Sequence, residues 1–174
     1  MLKQSKWFAN TVVLSNFAFA HAVSLLEVRY GKKMKIPEDV CQEIMNGIIE
    51  GYQSLNSIVN AINGQQFEKI TLNSKERKEY FSLAHNLGSG ESACIAAAIN
   101  RKGAVISDDR AARSICNEKN IPYTGTIGIL KACYLDKSLT LSDADSILKI
   151  MITNGFYSPV RTISDILNYQ SFQN

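Results

Sequence analysis

The chain has 174 residues, enough for one domain with a proper core and short for two. Its 45% hydrophobic and 20% charged content excludes wholesale disorder, and a formal net charge of +3 permits contact with a polyanion without predicting it. Cys41, Cys94, Cys116 and Cys133 are far apart, with no CxxC and only two histidines in the chain, which argues against zinc and for buried free thiols in a reducing cytoplasm.

In chain order, Trp7 to Ala9 is expected as a short buried strand ending at Asn10, followed by a turn and a first helix carrying Val12, Val13, Leu14, Phe17 and Phe19. Ser15-Asn16 interrupts this apolar run, so it is not read as a signal peptide, and no segment reaches the roughly 20 apolar residues of a membrane span. Ala22 to Tyr30 continues as helix. Gly31 and Lys32, Lys33 and Lys35 lead into a strand around Met34 to Ile36, and Pro37 suits the first turn of a helix whose apolar face is Val40, Cys41, Ile44 and Ile48. Ser54 to Ile62 repeats the helical period and Gly64 stops it. Phe67 to Leu72 reads as an alternating strand, and Asn73 or Ser74 caps a charged helix through Leu83.

Gly88-Ser89-Gly90 is expected to end a loop and Glu91 to open a small-residue helix. Ala104 to Ser107 follows as an apolar strand, then a helix from Ala111 to Glu118 and a strand from Ile121 to Thr124 opened by Pro122. Thr124 to Gly128 reads as a Gly-rich turn before a helix from Ile129 to Leu135; it lacks the GxxxxGK[ST] and GxGxxG patterns, and a plain tight turn is favoured over a phosphate cradle. Ser142 caps Asp143 to Thr153, Gly155 ends that helix, and Ser158-Pro159 leads to a last helix with Ile163, Ile166 and Leu167. Strands alternating with helices predict an α/β fold with a central parallel sheet between helical layers, and residues 140–174 as a helical extension of a single domain spanning 1–174.

Asn10, Glu43, Glu91, Asp108 and Asp109 fall mostly at strand ends or in the helix that follows, where a parallel sheet focuses functional groups. Carboxylates gathered there suit a hard cation, Mg²⁺ or Mn²⁺, and two such ions would orient a water and stabilise the leaving oxygen of a phosphodiester. The plainer alternative makes Glu91 a helix N-terminal acid and Asp108-Asp109 a helix cap, and periodicity alone does not choose between them. Adjacent residues on an extended segment point to opposite sides, so one of Asp108 and Asp109 is expected to face the site.

The motifs Leu87-Gly88-Ser89-Gly90-Glu91, Val105-Ile106-Ser107-Asp108-Asp109, Ala112-Arg113 and Gly125-Thr126-Ile127-Gly128-Ile129-Leu130 stand in this order together with Asn154-Gly155-Phe156-Tyr157-Ser158. In this order they resemble the PIN-domain superfamily, in the branch with LGxGE, DDxxAR and GTxGxL motifs. The resemblance implies a PIN-like (Rossmann-like) three-layer α/β/α fold and a metal-dependent endoribonuclease, the cytoplasmic toxin of a toxin-antitoxin pair. It further implies an RNA substrate, a small antitoxin covering the acidic site, a homodimer and no membrane.

By the same resemblance Glu43, Glu91 and Asp109 hold the cation with Asp108 beside it. Thr11 and Ser107 bond the acids or a water, and Arg110 and Arg113 meet phosphate or, equally, a salt bridge. The chain departs from the family at Asn10, which stands where the first metal-binding aspartate belongs. An amide offers one carbonyl oxygen and no charge, so catalysis is expected to be strongly weakened. Two readings stay open: an inactivated variant of an enzyme, and a non-catalytic PIN-like module that binds RNA or protein. A phosphate-binding protein using the Gly125 to Gly128 turn is a third.

Overall fold

The structure is a computed structural model that describes residues 6–171. Five strands, β1 (Trp7–Ala9), β2 (Met34–Pro37), β3 (Glu68–Ile70), β4 (Ala104–Ile106) and β5 (Tyr123–Thr124), form one sheet in the order β3-β2-β1-β4-β5. All neighbours are parallel, with Phe8 opposite both Lys35 and Val105, Ile36 opposite Lys69, and Ile106 opposite Thr124. A parallel strand needs a crossover, and helices supply it. These are α1 (Thr11–Phe19), α2 (Val23–Tyr30), α3 (Glu38–Ile49), α4 (Asn56–Asn63), α5 (Ser74–Leu83), α6 (Ser89–Arg101), α7 (Arg110–Glu118) and α8 (Thr126–Leu135). The chain then continues through α9 (Leu141–Thr153), which packs on α8 and α1, and α10 (Ile163–Ser171), which packs on α9.

Strands covered on both faces read as continuous apolar runs, and β4 is Ala104-Val105-Ile106 with every residue buried. Phe8, Phe17, Ile36, Ile95 and Ile106 fill the centre of the core. The alanines of α6, Ala93, Ala96, Ala97 and Ala98, are buried too, so this helix lies close on the sheet because its side chains are short. The expected α/β architecture with a central parallel sheet is the one present.

Several boundaries move for local reasons. Helix α6 begins at Ser89, with Gly88 as its N-cap, so Ser89 and Gly90 are helix and not loop. The Gly125 to Gly128 phrase is likewise the cap and first turn of α8. Pro37 ends β2 and is the N-cap of α3 in extended backbone, so the helix begins at Glu38 and Pro37 is not within its first turn as expected. The third strand shortens to Glu68–Ile70, the three residues that pair with Lys35, Ile36 and Pro37 of β2. The cap of α9 is Thr140 and not Ser142: its Oγ1 accepts from Asp143 N at 3.1 Å and donates to Asp143 Oδ2 at 2.7 Å.

Candidate functional site

Strand order reverses between β1 and β4, since β2 and β3 extend the sheet on one side of β1 and β5 extends it beyond β4. A crevice outside the carboxyl ends of the strands is expected at such a switch point. Asn10 follows β1 there and Ser107 follows β4, and the Asn10 backbone N–H donates to Ile106 O at 3.0 Å, which ties the two strand ends together.

Asn10 is fully buried and caps α1: its Oδ1 accepts from Val13 N at 3.2 Å. That bond fixes the amide orientation, because only the oxygen can accept from a backbone N–H. Nδ2 is thereby turned into the crevice, where it donates to Glu91 Oε1 at 2.9 Å and to Ser107 Oγ at 3.2 Å. Glu91 is the third residue of α6 and half-buried.

Glu43 arrives from α3. Its Oε1 accepts from Ser89 Oγ at 2.8 Å and Gly90 N at 3.0 Å, and its Oε2 accepts from Thr11 Oγ1. The glycine of LGxGE is required for this approach: a Cβ at Gly90 would stand 2.6 Å from Glu43 Oε2. Glu43, Glu91, Asn10, Thr11 and Ser107 are therefore brought together.

The aspartate pair goes elsewhere. Asp109 is exposed and its Oδ1 accepts from Ala112 N at 2.7 Å, capping α7, while its own N–H donates to Ser107 Oγ at 3.1 Å. Asp108 turns toward α8: Oδ1 accepts from Thr126 N and Arg113 Nη2, each at 3.0 Å, and Oδ2 accepts from Thr126 Oγ1 at 2.5 Å and Asn16 Nδ2 at 3.3 Å. Arg113 also donates Nε to Ser107 O at 2.8 Å, so the salt-bridge alternative for Arg113 is the one realised. Arg110, the first residue of α7, is exposed.

Two members of this second cluster, Asn16 and Thr126, were not singled out as functional from sequence. The signal for Asn16 was its place inside an otherwise apolar helix: it is buried, and such an amide needs a partner. Ser89, another omission, lay within the LGxGE motif. Cys94, one turn beyond Glu91, is no nucleophile: burial, reinforced by the charges of Glu91 and Glu43, pushes its thiol well up.

PIN nucleases in general use divalent metal ions. Among the described residues, no three Asp, Glu, His or Cys side chains come close enough to hold a metal ion together. At the switch point the donors are two carboxylates, with an amide N–H2 facing one of them, and Asp108 is engaged by Thr126, Asn16 and Arg113. This donor set does not fit a resident cation as it stands, and two carboxylate-bridged ions fit it less.

Among the described residues no helix is long and apolar enough to cross a membrane. No curated protein matches the chain. A solved structure, VapBC2 from Rickettsia felis bound to a DNA fragment from their promoter, is 14% identical, covering 68% of this chain and 98% of that one with a TM-score of 0.48. The family model for the PIN domain matches residues 6–171, and with that span the chain belongs to the PIN-domain family.

Proposed function

We propose that this chain is a ribonuclease in plan, the toxin of a cytoplasmic toxin-antitoxin pair, that stands one carboxylate short of cutting RNA. The observation that carries this reading is the meeting of Glu43 and Glu91 with Asn10 at the switch point, acids from two helices 48 positions apart in the chain brought to the end of β1 (91 − 43 = 48). Family membership supplies the reaction class. With aspartate at position 10, three carboxylates would share the crevice, and Mg²⁺ or Mn²⁺ suits such an oxygen set. A bound ion supplies charge neutralisation at the phosphodiester.

The chain's own residues contribute position. Thr11, Ser89 and the Gly90 N–H hold the Glu43 carboxylate, Ser107 ties position 10 to the start of α7, and Arg110, exposed at the first position of that helix, is the candidate to meet a phosphate. An antitoxin would silence the site by covering Glu43 and Glu91, and a cationic side chain is the natural group to bring there.

The test is cleavage of defined RNAs, in Mg²⁺ and in Mn²⁺, by the chain and by Asn10→Asp. The chain as it stands is expected to leave RNA intact and Asn10→Asp to cut it, with Glu91→Gln added to Asn10→Asp reducing cutting on the order of 100-fold. The use of both Asn10 Nδ2 hydrogens within the crevice favours a second reading, a PIN-fold module that binds RNA or protein without cutting. An Asn10→Asp protein that binds RNA and leaves it whole selects that module and removes the nuclease reading.

A further inference from the structure

We infer that the Asn10 amide is a built-in substitute for a cation: it clamps Glu91 by hydrogen bonding, so that this acidic crevice is closed and stable with no metal ion bound. The inference rests on the reading above of where a PIN site would place its ion, and it makes a claim about folding that RNA cleavage does not touch.

Every strong hydrogen-bonding direction of the Asn10 side chain but one is used. Oδ1 receives the Val13 N–H, and the two hydrogens of Nδ2 go to Glu91 Oε1 at 2.9 Å and Ser107 Oγ at 3.2 Å. Asn10 is 0% exposed and Glu91 half-buried, so the amide end of the bond is shielded from water, and an N–H donated to a carboxylate is worth more than a neutral bond. Ser107 Oγ is in turn occupied by the Asp109 N–H, and Glu43 takes its donors from Thr11, Ser89 and Gly90. The crevice therefore supplies N–H and O–H donors to the carboxylate oxygens that a cation would otherwise neutralise.

The isosteric change Asn10→Asp inverts this. One carboxylate oxygen still caps α1, but the other replaces Nδ2 and faces Glu91 Oε1 across about the same 2.9 Å, oxygen against oxygen. Two ionised oxygens at that separation repel, and a divalent cation between them relieves the repulsion. Position 10 thus selects between a metal-free clamp and a metal-dependent fold, with side-chain volume nearly constant.

Thermal unfolding of the full chain, in chelator and in millimolar Mn²⁺, tests this without RNA. The chain is expected to unfold at the same temperature in both. Asn10→Asp is expected to lose on the order of 5 °C in chelator and to recover it in Mn²⁺. The double variant Asn10→Asp with Glu91→Gln restores the clamp with donor and acceptor exchanged, so it is expected to regain stability in chelator and to ignore Mn²⁺. Equal stabilisation of the original chain and of Asn10→Asp by Mn²⁺ would overturn the inference. So would an Asn10→Asp protein as stable in chelator as the original, or a double variant no more stable there than Asn10→Asp. Because the readout is stability, a metal-responsive Asn10→Asp protein that fails to cut RNA leaves this inference standing and sinks only the nuclease reading.

Discussion

Glu76 and Glu91 are each the third residue of a helix, on α5 and α6, which pack against one another, and their carboxylates meet opposite fates. Glu76 is fully buried and folds back on its own helix start, accepting from Asn73 N at 2.8 Å while Asn73 Oδ1 accepts from Glu76 N at 3.0 Å. Arg101 closes on it with two bonds, Nε to Oε1 at 2.6 Å and Nη2 to Oε2 at 2.8 Å. Glu91 has Gly88 as its N-cap, with no side chain to reciprocate, and reaches across to Asn10 instead. Position within a helix therefore does not decide whether an acid serves the fold or a site. The cap residue and the nearest cation decide it, and α6 lends its own Arg101 to the neighbouring helix. Asp108 and Asp109 repeat the lesson: acids in a strand-to-helix loop are taken by the free N–H groups of the helices that follow.

The division can be broken by truncating acids of each kind and measuring stability by chemical denaturation. Glu76→Ala should lose the most, about 3–5 kcal/mol, because it strands a partly buried guanidinium and removes a capping box together. Asp108→Ala should lose about 2–3 kcal/mol by leaving the buried Thr126 N–H without its acceptor and Arg113 without its partner. Asp109→Ala should lose about 1 kcal/mol, the value of an N-cap. Glu91→Ala should lose about 1 kcal/mol or less, since the one Asn10 Nδ2 hydrogen it frees lies at the half-buried end of the crevice, within reach of water, while the other keeps Ser107. If Glu91→Ala proves as damaging as Asp108→Ala, the separation into structural and site acids is wrong.

Much of this is legible in the sequence. The order of strands and helices follows from period and punctuation, Asn10 stands out by its place at the end of β1, and Glu43 and Glu91 stand out mainly by the motifs that hold them. What the sequence did not carry was direction. The alternation of an extended chain foretold that Asp108 and Asp109 diverge, but not that Thr126 and Arg113, 18 and 5 positions later, would hold the first of them. The Gly125 contact was hidden for the same reason: a Cβ there would stand 2.3 Å from Asp108 Oδ1, a tertiary fact with no local signal. The pair of Glu76 and Arg101 joins residues 25 positions apart on different helices, a contact that no local pattern announces.

The finest test of the contrast is the acid limb of stability. Burial pushes the Glu76 carboxyl up, but the Arg101 bonds and the Asn73 N–H outweigh it and hold the group below the ordinary glutamate range. A carboxyl whose folded value is depressed binds its proton more readily unfolded, so its stabilisation is complete above the unfolded value of about 4.3 and is lost as pH falls through the lower folded value. Glu76→Gln cannot titrate. It should start from a lower plateau at neutral pH and then fall less steeply than the parent below about pH 4.3, the rest of the slope belonging to other acids such as Asp136, whose carboxyl is held down by Ser138 and Arg29. Parallel acid limbs for Glu76→Gln and the parent would mean that Arg101 does not hold Glu76 ionised, and the structural role assigned to that carboxylate would fail with it.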